Sequence, residues 1–175
     1  MDDGAETPEQ SLAMLRMAAR SGTTDIVATP HANLRYQLRD EVVARQIREL
    51  SVASDGTPRI HRGCDFHLSF DNIQEALRNP ARFTIDGGLY LLAEFPPGPL
   101  AGMSQVLAAL LDRGLIPILT HPERHEFLNR LPAEFEEWIG MGCLVQLTAQ
   151  SLLGRFGKAE RGIAAHRKGR PHKGR

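Results

Sequence analysis

The chain has 175 residues, 42% of them apolar, with 21 Lys+Arg against 21 Asp+Glu; this suits one domain with a real core and excludes a disordered chain. No apolar run is long enough to span a bilayer, and residues 1–10, MDDGAETPEQ, lack the basic-then-apolar order of a signal peptide. The zero net charge is a cancellation: residues 155–175 carry a net +7 and residues 1–154 a net −7, so an acidic body is joined to a basic tail.

In chain order, Thr7-Pro8-Glu9-Gln10 reads as a helix start, with Thr7 as cap, Pro8 at the first position and Gln10 completing a capping box. Leu12, Leu15 and Ala19 mark one face of that helix, Met14 and Met17 are read as core, and Gly22 stops it. A β-branched strand over 25–29 ends at Pro30-His31, and a helix is predicted over 38–51 with Val43, Ile47 and Leu50 on one side. A strand follows near Arg59–Phe66, then a short helix over 71–78 that stops before Pro80. Leu89–Phe95 has a buried-strand pattern, 102–113 is helical with Gly114 as its stop, and Leu115–Thr120 is a strand. A helix over Pro132–Ile139 and a strand over Leu144–Thr148 complete the series. Strands alternate with helices, which favours a parallel sheet or barrel of the α/β class.

An internal echo supports this order. IVATPH, PILTHPE and VQLTAQ each follow a glycine stop and present an apolar strand, a Thr and then polar residues. Each looks like one βα unit with its polar residues at the carboxyl end of the strand, where parallel α/β folds build their sites.

Four strands end in side chains able to ligate metal: His31, Asp65, Glu94 and His121. Taken singly, His31 can cap a turn and Asp65 a strand end. Glu94 is more telling, because it lies within the apolar run LLAEF, where an unpartnered carboxylate is expensive. His121, with Glu123 and Arg124 behind it, repeats the pattern. If the strands are parallel neighbours, all four converge on one rim. Imidazole and carboxylate together suit manganese, zinc or iron. His67 and His125 lie near that rim, whereas His61 reads as a sheet-face residue. Cys64 and Cys143 stand apart in apolar runs and read as buried, reduced thiols, which points to the cytoplasm. One Trp and two Tyr give little material for base stacking, so nucleic acid is not an expected partner. The glycine-punctuated tail reads as disordered, and a salt-sensitive anionic-surface binder is its competing reading.

Taken in order, DDG, TPEQSLAMLRMAARSGTTDIVATPH, GCDFHL, LLAEFP, ILTHPERH and MGC resemble the polymerase-and-histidinol-phosphatase (PHP) superfamily, over residues 2–157. Within it they most resemble the bacterial capsule- and exopolysaccharide-associated protein-tyrosine phosphatases. The resemblance implies a distorted β/α barrel with up to three metal ions, usually manganese, at the carboxyl ends of its strands. It implies that Asp65 bridges two metals, that Glu94 and His121 complete the ligands of one of them, and that Asp3 and His31 serve the third. It also implies that Arg124 holds substrate phosphate; Arg124 and His31 are the catalytic candidates. The implied substrate is a phosphotyrosine protein, with a bacterial tyrosine kinase as the expected partner.

The family pattern also has an Asp-x-His-x-His strand before the Asp-Asp-Gly and a late Asp-x-His. Here Met1 directly precedes Asp2, and the sequence departs from the pattern after Gly157, so a domain over 1–157 is expected, incomplete at both ends, with a basic tail over 158–175. Fewer than three metals are then expected. The alternatives are an inactive fragment that still binds some metal or phosphate, and a phosphatase for a small metabolite such as histidinol phosphate.

Overall fold

The computed structural model describes residues 4–157; Asp3 and residues 158–175, where the disordered tail is expected, lie outside the described residues. The contacts divide the chain into two units, Met1–Leu92 and Ala93–Arg175.

The first unit opens with α1 (Pro8–Arg20), whose cap is the expected one: Thr7 Oγ1 accepts from the Gln10 backbone N–H at 3.2 Å. The reciprocal bond lands one residue early, because Gln10 Oε1 accepts from the Glu6 N–H at 2.9 Å. Leu15 is buried, but Met14 and Met17 are 61% and 70% exposed, which corrects their reading as core. At 100° per residue they sit roughly 100° and 160° around the helix from Leu15, on the solvent face.

Two parallel ladders follow. Strand β1 (Asp25–Ala28) pairs with β3 (Arg59–Arg62), and β2 (His31–Ala32) pairs with β4 (Asp65–His67) in the register His31↔Asp65. The single strand expected near Arg59–Phe66 is therefore two. The break is local, since the Gly63 N–H still reaches Ala28 O at 2.9 Å and the Asp65 N–H reaches Pro30 O at 3.0 Å. Glycine is required there: a Cβ on Gly63 would lie 2.5 Å from Val27 Cγ1. Helix α2 (Asp40–Ala53) buries Val43, and α3 (Phe70–Arg78) buries Ala76. Phe66 meets Phe83 edge-on at 4.9 Å within a core that includes Cys64, Leu68 and Leu91. The Asp40 carboxylate pairs with Arg62 and Arg82, tying α2 to β3 and to the 3-10 turn Pro80–Arg82.

His61 lies on β3 as a sheet residue, held between two carboxylates. Its Nδ1 is 2.6 Å from Asp86 Oδ2 and its Nε2 is 2.9 Å from Asp25 Oδ1. Arg59 also pairs with Asp25, at 2.8 Å. The two carboxylates raise the His61 pKa above 6.5, and the His61 hydrogen bond holds Asp25 down to about 2. The raised imidazole stabilises the fold below 6.5 and stops doing so as pH rises through its folded value; the depressed carboxylate does so above 3.8 and stops as pH falls towards about 2. The cluster should therefore contribute most between those limits. Urea midpoints measured across pH should rise into that window and fall again above it, and His61→Gln should flatten the alkaline side.

The second unit holds the last residues of β5 (Tyr90–Glu94), then α4 (Met103–Asp112), β6 (Ile116–Thr120), α5 (Pro132–Met141), β7 (Leu144–Gln146) and the short α6 (Ala149–Leu152). Strands β6 and β7 are parallel, in the register Leu119↔Val145. Thr120 Oγ1 donates to Ala93 O at 3.3 Å, fixing the end of β6 to the end of β5. Helix α5 stops as expected, with Gly142 at φ 116°. The core gathers Phe95, Leu107, Leu110, Leu119, Trp138 and Cys143. Phe95 stacks on Trp138 at 5.3 Å, and Trp138 Nε1 donates to Ser104 Oγ at 2.8 Å. Burial raises the pKa of both Cys64 and Cys143 to about 12.

The α/β class with parallel pairing is as expected. Among the described residues no helix is long and apolar enough to cross a membrane.

Candidate metal centre

In the first unit, His31 and Asp65 face each other across the β2–β4 ladder, with His31 Nε2 3.9 Å from Asp65 Oδ2. The pairing follows from register: each residue opens its strand just after the break at Pro30 or at Gly63-Cys64, and partner side chains in a ladder project on one face. Both side chains are largely buried. The separation is too long for a hydrogen bond between them. His67, two residues beyond Asp65, shares its strand face, and its Nδ1 is buried with no hydrogen-bond partner among the described residues. A ring nitrogen in that state calls for a water or a cation. A cavity of about 520 Å³ in this unit is lined by Ala32, Asn33, Tyr36, Phe70 and Arg78 among others, and not by His31, Asp65 or His67.

In the second unit the same motif recurs. His121 Nε2 lies 3.7 Å from Glu94 Oε1, both side chains largely buried at the carboxyl ends of β6 and β5. The His121 N–H bonds to Gln146 O at 2.9 Å, so β7 holds the residue from its other side. Its backbone is left-handed, at φ 33°, a conformation that disfavours a side chain and turns the chain sharply out of β6. Burial pushes the imidazole below 6.5, the Arg124 charge adds to that, and Glu94 and Glu123 oppose it. A neutral imidazole is the form that ligates metal.

The residues after His121 divide their labour. Glu123, fully buried, accepts through Oε1 from the Thr148 N–H at 3.0 Å and from Ser151 Oγ at 2.8 Å. It fastens the start of α6, a role the sequence pattern did not disclose. Arg124 is exposed, with its guanidinium carbon 4.6 Å from the centre of the Phe156 ring. His125, expected near the rim, is spent on structure: Nε2 donates to Pro96 O at 2.8 Å while Nδ1 accepts from the Leu128 N–H at 3.1 Å. That fixes its tautomer and leaves neither nitrogen for a metal.

One imidazole–carboxylate pair opens the parallel strands β2 and β4, with an orphaned ring nitrogen on the same strand face, and the other closes β5 and β6; the donors of each pair fit divalent cations. A family model described as "Capsular polysaccharide synthesis, CpsB/CapC" matches residues 1–166.

The chain belongs to the CpsB/CapC family.

Within the family it is 34% identical to the putative tyrosine-protein phosphatase CapC of Staphylococcus aureus over 162 residues, covering 90% of this chain and 63% of that protein. It is 28% identical to the tyrosine-protein phosphatase YwqE of Bacillus subtilis, covering 90% of this chain and 64% of that one. Its fold matches a crystal structure from work on YwqE of Bacillus subtilis and CpsB of Streptococcus pneumoniae, described there as unique metal-dependent tyrosine phosphatases. The TM-score is 0.84 at 27% identity, over 94% of this chain and 68% of that one. The chain thus spans a little under two thirds of the length of these curated CpsB/CapC relatives. The family resemblance carried by the ordered sequence motifs therefore holds, and so does the α/β class with parallel strands.

Proposed function

We propose that this chain is a divalent-metal-dependent phosphatase acting on phosphotyrosine in protein, in the control of capsule or exopolysaccharide synthesis. The observation that carries the reading is the repeated imidazole–carboxylate pair, His31–Asp65 where β2 and β4 open and Glu94–His121 where β5 and β6 close. The family resemblance supports assigning Asp3, His31, Asp65, Glu94 and His121 as the ligands, with manganese as the favoured ion. Divalent ions bound there would neutralise the phosphate and bring the pKa of a bound water near 7.

The chain's own groups supply the rest. Asp65 and Glu94 offer anionic oxygens that draw cations in. Burial lowers the His121 pKa, which favours the neutral imidazole that ligates metal. Arg124 offers planar N–H donors for phosphate oxygens. His31 offers a ring nitrogen beside the Asp65 carboxylate, where a cation held there would meet the substrate phosphate. The likeness to CapC and YwqE, tyrosine-protein phosphatases by name, favours phosphotyrosine in protein over a small metabolite. The proposed setting is the cytoplasm, with a bacterial tyrosine kinase as the protein dephosphorylated.

The test is manganese-stimulated release of phosphate by this chain from a phosphotyrosine peptide and from histidinol phosphate, each with and without a chelator. Chelator-sensitive turnover that prefers the peptide is expected. Preference for histidinol phosphate would shift the reading to a metabolite phosphatase, and no turnover of either would overturn it.

A further inference from the structure

Glu123 and Arg124 are consecutive, and both hold the same downstream segment. Glu123 reaches inward and takes hydrogen bonds from Thr148 and Ser151, at the start of α6. After α6 the chain turns back at Gly154, φ 75°, with Gly154 N–H to Ser151 O at 3.0 Å and Arg155 N–H to Gln150 O at 2.9 Å. That turn brings Phe156 onto the outer side chain, 4.6 Å from the Arg124 guanidinium carbon. The inner bond therefore fixes where the outer contact falls.

A cation placed over a ring has a particular chemical consequence. A cation over the face of an aromatic ring is held by the ring quadrupole and needs no hydrogen-bond acceptor there. Phe156 can therefore restrain the Arg124 guanidinium without a carboxylate occupying its donors. The contrast with Arg62 and Arg82 is direct, since both spend their edges on the Asp40 carboxylate. No ion pair with a carboxylate restrains Arg124 among the described residues. The Phe156 ring remains 42% exposed, so solvent and ligands reach this place.

We propose that Phe156 is a positioning residue for Arg124: it orients the guanidinium edge towards a bound phosphate, and the Glu123 anchor of α6 delivers it there. This rests on the phosphate-holding role of Arg124 and adds the residue that makes that role work. An exposed arginine otherwise samples many rotamers, and restraint in the binding geometry lowers the entropy lost on binding.

The test uses the full chain with manganese and inorganic phosphate as the probe, with binding followed by 31P NMR or calorimetry. Arg124→Ala should weaken phosphate binding about tenfold or more. Phe156→Leu keeps apolar bulk but lacks a π-face, and should weaken it about fivefold, while Phe156→Tyr restores it. In the parent chain the Arg124 Nε–H and Hδ resonances should be shifted upfield by the ring, and Phe156→Leu should abolish that shift. A role confined to holding α6 would lower stability in Phe156→Leu and leave phosphate affinity alone. If Arg124→Ala weakens binding and Phe156→Leu does not, the positioning role is overturned. If Arg124→Ala itself changes nothing, the phosphate role of Arg124 falls and the positioning role falls with it.

Discussion

Asp65→Asn is expected to abolish the stabilisation that manganese gives the chain and to cut manganese-stimulated turnover of a phosphotyrosine peptide about 10³-fold. The carboxylate faces His31 across the β2–β4 ladder and is largely buried. Asparagine keeps the shape and removes the anionic donor. A ligand present at 100 times its dissociation constant stabilises a fold by about 2.7 kcal/mol, so the loss is readable as a missing shift in thermal midpoint. The turnover loss corresponds to about 4 kcal/mol of transition-state stabilisation, within what bound metal supplies. Midpoints with and without manganese, with kinetics on the same samples, decide it. A variant that keeps its manganese-induced shift would remove Asp65 from the ligand set. Glu94→Gln offers a parallel measurement on the second pair.

The second large effect is on stability. Glu123→Ala should cost about 3 kcal/mol, because it strips two hydrogen bonds to a carboxylate and leaves the Thr148 N–H and Ser151 Oγ without that partner. For a chain of this size that lowers the thermal midpoint by roughly 6–12 °C. Glu123→Gln retains an oxygen acceptor and should lose only about 1 kcal/mol. Urea unfolding of the three proteins separates the cases. Equal losses in both variants would mean that charge, not the hydrogen bonds to α6, is what the site requires.

Much of this was legible in the residues because it depends on local chemistry. Thr7, Pro8 and Gln10 announce α1 through capping, which involves only neighbours in sequence. The order of strands and helices followed from period and from glycine stops. His31, Asp65, Glu94 and His121 stood out because polar groups at the ends of apolar strands carry a desolvation cost that asks for an explanation. What was not legible depends on tertiary approach. The break between β3 and β4 arises where Gly63 meets Val27, which are 36 positions apart. Met14 and Met17 looked like core because a thioether fits a core; nothing local says that the opposite face of α1 is the covered one. His125 and Glu123 differ from His121 only in what they touch. Their partners, Pro96 and Leu128 for one, Thr148 and Ser151 for the other, come mostly from distant segments. Phe156, an exposed aromatic near glycines, gave no signal at all.

The two buried cysteines bear on how a phosphoryl group can leave its substrate. With their pKa values pushed up to about 12, on the order of one thiol in 10⁵ is ionised at pH 7. Cys64 is next to Asp65, yet it points into the core as a neutral thiol with almost no exposed surface. A buried, un-ionised thiol is a poor nucleophile, so neither of the two cysteines in the chain is suited to carry a cysteinyl-phosphate. Under the proposed phosphatase reading the nucleophile is therefore a water or a side chain other than cysteine, and alkylating agents or mild oxidants that silence thiolate enzymes are expected to leave turnover unchanged.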